Sequence, residues 1–116
     1  MGKEKTGMPR HYSGTMAEHP KVHRALETLG ETVRKEGPLD GKTAHLIQLA
    51  AAASVRAEGS VHSHTRRALE AGATPEEVRH AVLLLISTIG YPTTAAALSW
   101  VNDILKRRRG GRRKRQ

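Results

Sequence analysis

Apolar side chains recur at three- and four-residue spacing through the middle of the chain, and no run alternates with the period of two that marks a strand. From Pro20, the residues Val22, Ala25, Leu26, Leu29 and Val33 form one helical stripe, with proline in the first turn and Gly37-Pro38 closing the pattern. Asp40 is placed to cap a second helix, KTAHLIQLAAAASVRA, whose stripe is Ala44, Ile47, Ala51, Ala52 and Val55. That segment is apolar around most of its circumference, which predicts a central position. Glu58-Gly59 marks a break, after which a shorter helix runs from about Val61 to Ala71 and stops at Gly72. Thr74, Pro75, Glu76 and Glu77 then form a capping box, with a hydroxyl at the cap, proline at the first helical position and Glu77 three residues after the cap. Val78, Ala81, Val82, Leu85, Ile86 and Ile89 continue as a core stripe to Gly90. Pro92 opens a last helix through Ala96, Leu98, Val101, Ile104 and Leu105. The pattern predicts an all-α bundle of about five helices over residues 19–105. A flexible arm over residues 1–18 precedes it, where Gly2, Gly7, Pro9 and Gly14 interrupt a polar stretch with no apolar period.

Composition adds a constraint on the core. The 116 residues suit one domain, but only 37% are hydrophobic, with no Phe, one Trp and two Tyr. A core of Ala, Leu, Val and Ile in so short a chain is thin, so part of the apolar surface is expected to be buried against other copies, as a homo-oligomer.

Charge changes the picture only at one end. The formal net charge is +9, yet 8 of the 20 Lys and Arg residues lie in the run KRRRGGRRKR between Lys106 and Arg115, leaving residues 1–105 close to neutral. This run reads as a basic, disordered tail in which Gly110-Gly111 breaks any helix. Its functional alternative is polyanion binding, nucleic acid included, without sequence preference because no aromatic side chain is interleaved to stack on a base. No stretch approaches the roughly 20 apolar residues of a membrane span, and the opening MGKEKTGMPRHYSG lacks the apolar centre of a signal peptide. A cytoplasmic protein with no membrane partner is expected.

The segment from His45 to Glu77, HLIQLAAAASVRAEGSVHSHTRRALEAGATPEE, carries a resemblance. An Ala-rich helix, a break, a helix ending LEAGAT and another opening PEEV, followed by LLLISTIGYPTTAAALSWVNDIL, resemble the carboxymuconolactone decarboxylase and alkylhydroperoxidase D superfamily over residues 20–105. In the alkylhydroperoxidase D branch, the active site is a Glu, 11 residues, a Cys, two residues, a second Cys, three residues and a His. On this chain the register falls on His45, Ala57, Ser60 and His64. Only the histidine survives. Peroxide reduction by that route needs a thiolate to attack and a second thiol to resolve the sulfenate. With no cysteine anywhere in the chain, that chemistry is excluded.

The decarboxylase branch also lacks the cysteine pair and keeps a histidine matching His64, so the resemblance implies a lyase acting on a small carboxylate or lactone, assembled as a trimer or hexamer. His64, with an unperturbed pKa near 6.5, would be the general acid, with His45 and Ser60 lining the same site. His64 is expected in the first turn of its helix, where backbone N–H groups are free, and Arg56, Arg66 and Arg67 are candidate partners for substrate anions. No cofactor is implied. Two further readings stand beside this one. His45 and His64 can together ligate a metal if their helices pack against each other, whereas His62 and His64, at i and i+2, point about 200° apart and cannot. Alternatively the chain is a non-catalytic oligomeric scaffold whose basic tail binds a polyanion. The bland assignments are a histidine on a helix flank for His64, a hydrogen-bonded packed histidine for His45, a helix N-cap for Ser60, and core or interface positions for the LLLI stripe and Trp100.

Overall fold

Most helix boundaries can be traced to a local chemical signal. The computed structural model describes residues 17–115, and the side chains of those up to 110; all but the end of the expected N-terminal arm lies outside the described residues. Among the described residues six helices follow in order: α1 (Pro20–Lys35), α2 (Gly41–Ser54), α3 (Glu58–Glu70), α4 (Pro75–Leu83), α5 (Ile86–Ile89) and α6 (Tyr91–Arg115). No strand occurs among the described residues. Asp40 caps α2, its Oδ1 accepting from the Thr43 N–H at 2.8 Å. At the start of α4 the capping box is complete, with the Glu77 N–H donating to Thr74 Oγ1 at 3.0 Å and the Thr74 N–H to Glu77 Oε1 at 2.9 Å.

The α2–α3 connection differs from the expected break at Glu58-Gly59. Helix α2 ends in a Schellman motif: the Arg56 N–H bonds the Ala53 carbonyl and the Ala57 N–H bonds the Ala52 carbonyl. Arg56 holds the left-handed position at φ +58 that glycine more often fills. Because that turn closes early, α3 starts at Glu58, with Ala57 as its N-cap and Gly59 inside the first turn. Ser60 is therefore the third helical residue and not a cap. Gly72, at φ +106, ends α3 by the same motif, with Ala73 and Gly72 N–H groups bonded to the Ala68 and Leu69 carbonyls.

The α2–α3 hairpin is the centre of the packing. Its inner faces supply Leu49, Ala52, Ala53, Val61, Ala68 and Leu69 to a core completed by Ala73, Val78 and Val82 around α4 and by Ala97, Val101, Ile104 and Leu105 from α6. Helix α6 runs across α3, α4 and α2, and Trp100 is half-buried against this core. The buried face of α2 is His45, Leu49, Ala52 and Ala53, while Ile47 and Val55 of the expected stripe are exposed. The face is a proper i, i+4, i+7, i+8 set. Choosing apolar residues alone omitted its histidine and rotated the predicted face.

Two other stripes turn out differently from the expectation. None of the α1 residues is buried, and Val22, Leu26, Leu29 and Val33 are each about half exposed. Its polar face, His23, Glu27, Gly30 and Arg34, is the one turned inward. It finds partners there: Arg67 Nη2 donates to Glu27 Oε2 at 3.0 Å and Arg34 Nη1 to Gln48 Oε1 at 3.3 Å. The stripe after Val82 is interrupted where Leu85 and Thr88 N–H groups bond three residues back, to Val82 and Leu85 carbonyls. That tightening separates α4 from α5 and leaves Leu83, Leu84 and Ile86 exposed.

Helix α6 continues through Gly110-Gly111 to Arg115, where a broken, disordered tail is expected from the sequence. Two glycines cost about 2 kcal/mol of helix propensity. Against this, Arg and Lys are good helix formers, and cations at a helix C-terminus meet the negative end of the dipole.

The core assignment is checked by Leu49→Ala. Leu49 is fully buried on the central hairpin, so the substitution is expected to lower unfolding free energy by about 2–5 kcal/mol in urea denaturation.

Candidate functional site

A three-residue connection makes α2 and α3 an antiparallel pair. His45 lies nine residues before the last residue of α2 and His64 six after the first residue of α3. At 1.5 Å per residue the two sit about 13 Å and about 9 Å from the turn, within one helical turn of the same level. Both face the shared interface. Their Nδ1 atoms are 3.3 Å apart, and the rings are tilted by 39° with centroids 5.5 Å apart. Two neutral imidazoles satisfy this contact with one proton, one Nδ1–H donating and the other Nδ1 accepting. Two imidazolium rings would place two donors and two charges against each other.

The surroundings enforce the neutral state. Burial, then the charges of Arg34 and Arg67, pull the His45 pKa from 6.5 to about 4. For His64, burial comes first, then His45, Arg67 and Arg34, and the result is again about 4. The expectation of an imidazole titrating near 6.5 is therefore corrected: in the unliganded site both rings are neutral at pH 7.

His64 opens onto a cavity of about 200 Å³ between α1, α2 and α3, whose polar lining includes Glu27, Arg34, Gln48, Ser60, Ser63 and Arg67. Ser60 faces the same space as His64, and Gly59 lines it beside Ser60. His64 belongs to the second turn of α3, one turn beyond the expected position. The free N–H groups of that helix fall to Glu58, Gly59 and Ser60.

Among the arginines expected near the site, only Arg67 lines the cavity. Arg56 is held elsewhere, its Nη1 donating to Thr93 Oγ1 at 2.8 Å. Arg66 buries one guanidinium nitrogen without a hydrogen-bond partner among the described residues. Arg34 and Glu27 were not anticipated. The signal for them in the sequence is the polar face of α1, which has the same helical period as its apolar stripe.

His62 takes a separate course, as its 200° separation from His64 requires. Its buried Nε2 lies 3.0 Å from Asp103 Oδ2 of α6. With Glu58 these residues form the grouping of three metal-type donors among the described residues, their ligand atoms within 4.8 Å of one another. Their first role is a His–Asp hydrogen bond that ties α3 to α6. The His45 and His64 nitrogens can offer two donors to an ion, short of the three or four that a zinc site uses.

The arrangement of helices and site now allows comparison with known proteins. The sequence model of the carboxymuconolactone decarboxylase family matches residues 20–103. The chain belongs to this family. Two crystal structures of the family share its fold. One, a carboxymuconolactone decarboxylase family protein from Legionella pneumophila, is 25% identical with a TM-score of 0.64, covering 81% of this chain and 87% of that one. Another, bearing the carboxymuconolactone decarboxylase name and from Burkholderia xenovorans LB400, is 25% identical with a TM-score of 0.63, covering 84% and 80%. No protein of curated function matches the sequence. Within the family fold, this member carries its histidine pair and arginines where no cysteine is present.

The neutral pair has a thermodynamic consequence. Between pH 6.5 and about 4 the unfolded chain binds protons that the folded pair excludes. Stability from this source is present above pH 6.5 and is lost as pH falls toward 4. Thermal melts across that window should fall more steeply for the native chain than for His64→Gln; parallel curves would show that the rings are not held neutral.

Proposed function

We propose that the cavity binds a small carboxylate, foremost a carboxylated lactone, and that His64 delivers the proton that completes its decarboxylation. The observation that carries this reading is His64 on the wall of a cavity also lined by Arg34 and Arg67, backed at 3.3 Å by the buried His45, which does not itself line the cavity. Loss of carbon dioxide breaks the C–CO₂ bond and sends its electron pair into the conjugated lactone carbonyl. The resulting dienolate must then take a proton on carbon, and one positioned acid suffices.

The same geometry supports a route for that proton. Arg67 is already paired with Glu27, whereas Arg34 has only the neutral amide of Gln48 as its hydrogen-bond partner among the described residues. Arg34 is thus the better anion partner, and a bidentate contact to carboxylate suits its guanidinium. An anion there offsets part of the positive field that keeps the imidazoles neutral, so binding favours protonation of the pair. His45 then accepts the hydrogen bond that a protonated His64 donates, and the second nitrogen of His64 is left for the substrate. Ser60 and the free N–H groups at the start of α3 support a carboxylate or lactone oxygen.

The test combines activity and proton uptake. Incubation with carboxymuconolactone, followed by loss of substrate and release of carbon dioxide, is expected to show turnover that falls 10²-fold or more in His64→Gln, in the range of lost general-acid catalysis. Arg34→Gln should chiefly weaken binding. Calorimetry of a non-reactive lactone carboxylate near pH 6, in buffers of different ionisation enthalpy, should show proton uptake that His64→Gln removes. Turnover unaffected by that substitution, or no binding of any carboxylated lactone, would overturn the assignment.

Self-assembly forms part of the same reading. The outward stripe of α1, Val22, Leu26, Leu29 and Val33, adjoins a shallow apolar groove lined by Val33, Leu39 and Ile47, an apolar surface of the kind usually covered by a second copy. Light scattering should report a homo-oligomer, a trimer or hexamer in keeping with the family resemblance. Leu29→Glu should lower its mass; a native chain that stays monomeric at tens of micromolar would remove this element.

A further inference from the structure

The end of α6 plays no part in the cavity. Ile104 and Leu105 are the last buried residues, and Lys106, Arg107, Arg108 and Arg109 are all exposed. None of these four forms an ion pair among the described residues. The helix continues through Gly110 to Arg115, and the sequence places Arg112, Arg113, Lys114 and Arg115 on it. Since residues 1–105 are nearly neutral, this ten-residue segment holds almost all of the net positive charge.

We propose that this helical end is a binding site for double-stranded DNA, seated in the major groove and held by phosphates without reading sequence. Successive helical residues are set about 100° apart, so the four exposed cations from Lys106 to Arg109 surround the helix instead of forming one face. A flat anionic surface meets only half of such a rod. An amphipathic membrane helix would also need an apolar face, and none exists beyond Leu105. A groove is different, because phosphates flank the helix on both sides.

The dimensions agree. An α-helix with its side chains is about 10–12 Å across and the B-DNA major groove about 12 Å wide. Ten residues extend about 15 Å, a length over which duplex DNA presents about nine phosphate charges, close to the eight cations of the segment. The deep, narrow major groove of A-form RNA does not admit a helix. With no aromatic residue in the segment to stack on bases, sequence-independent phosphate binding is the mode left.

The experiment uses the full chain and fluorescence anisotropy with a labelled 20-base-pair DNA duplex, the same sequence as an RNA duplex, and vesicles of phosphatidylserine and phosphatidylcholine. The DNA duplex should bind with a log–log salt slope of roughly −4 to −7 between 50 and 200 mM KCl, for four to eight phosphates neutralised. A second DNA sequence should change affinity less than about threefold. Joint replacement of Lys106, Arg107, Arg108 and Arg109 by Gln, which preserves helix propensity, should reduce the slope by roughly 3–4 while circular dichroism and melting temperature stay as in the native chain. Gly110→Pro keeps every charge but interrupts the helix and should weaken DNA binding about tenfold. A slope shallower than about −2, or unchanged binding by the four-fold variant, would overturn the site. RNA duplex or vesicles bound as tightly as DNA, or Gly110→Pro binding like the native chain, would overturn the groove-seated mode.

Discussion

The close antiparallel packing of α2 against α3 is the constraint on which the rest of the molecule depends. It forms the middle of the core, and it also forces two imidazoles into contact at 3.3 Å, His45 buried and His64 half-buried at the cavity. The short turn sets the register of the pair, and that turn closes with Arg56 in a left-handed conformation that costs roughly 1–2 kcal/mol for a residue other than glycine. The Schellman hydrogen bonds, the first turn of α3 and the burial of Val61 offset that cost. A turn one residue longer would rotate α3 by about 100° and carry His64 off the shared face.

The second constraint is the inversion of α1. An amphipathic helix normally stabilises a fold by burying its apolar stripe, worth about 1.5–3 kcal/mol for each fully buried aliphatic side chain. Here the stripe points outward, and α1 is held by Glu27 on Arg67 and Arg34 on Gln48, contacts that in isolation contribute only about 1 kcal/mol each. The gain lies in the site: the polar face of α1 supplies Arg34 and Glu27 to the cavity and completes the electrostatic environment of the imidazoles. Apolar surface left on α1 and around Leu39 and Ile47 lowers the solubility of the lone chain and favours association.

These two features mark the boundary of what is legible in the sequence. Caps at Asp40 and Thr74, the stop at Gly72 and the helical period are local, and each is found where its chemistry predicts. The inward face of a helix is not local. Apolar residues on α1 turn outward because the polar residues opposite them find partners on α2 and α3. His45 belongs to the buried face of α2 because His64 accepts it there. The register that aligns His45 with His64 could be read from their spacing in the superfamily resemblance, whereas Arg34 lies outside that motif and needed the fold to place it. The break after Leu83 is equally hidden, since Ile86, four residues after Val82, has the spacing of a core stripe and nothing in its chemistry announces exposure.

The exchange of an acid for His45 has a consequence beyond the absence of cysteine. In the register of the alkylhydroperoxidase D resemblance, the position of His45 holds a glutamate. A carboxylate beside His64 would favour the imidazolium and raise its pKa. An imidazole in that place does the reverse: it accepts or donates one shared proton, and any charge on one ring opposes charge on the other. Burial first, and then Arg67, Arg34 and the neighbouring ring, pull the pKa values of the pair to about 4, so both rings are neutral at pH 7. Such a pair has little use as a resting acid at pH 7; under the function proposed above it responds to the charge that enters the cavity, because each anion near Arg34 acts on both rings at once. Under that proposal proton chemistry at this site is linked to occupancy, a property that a Glu–His pair, already charged when empty, would not have.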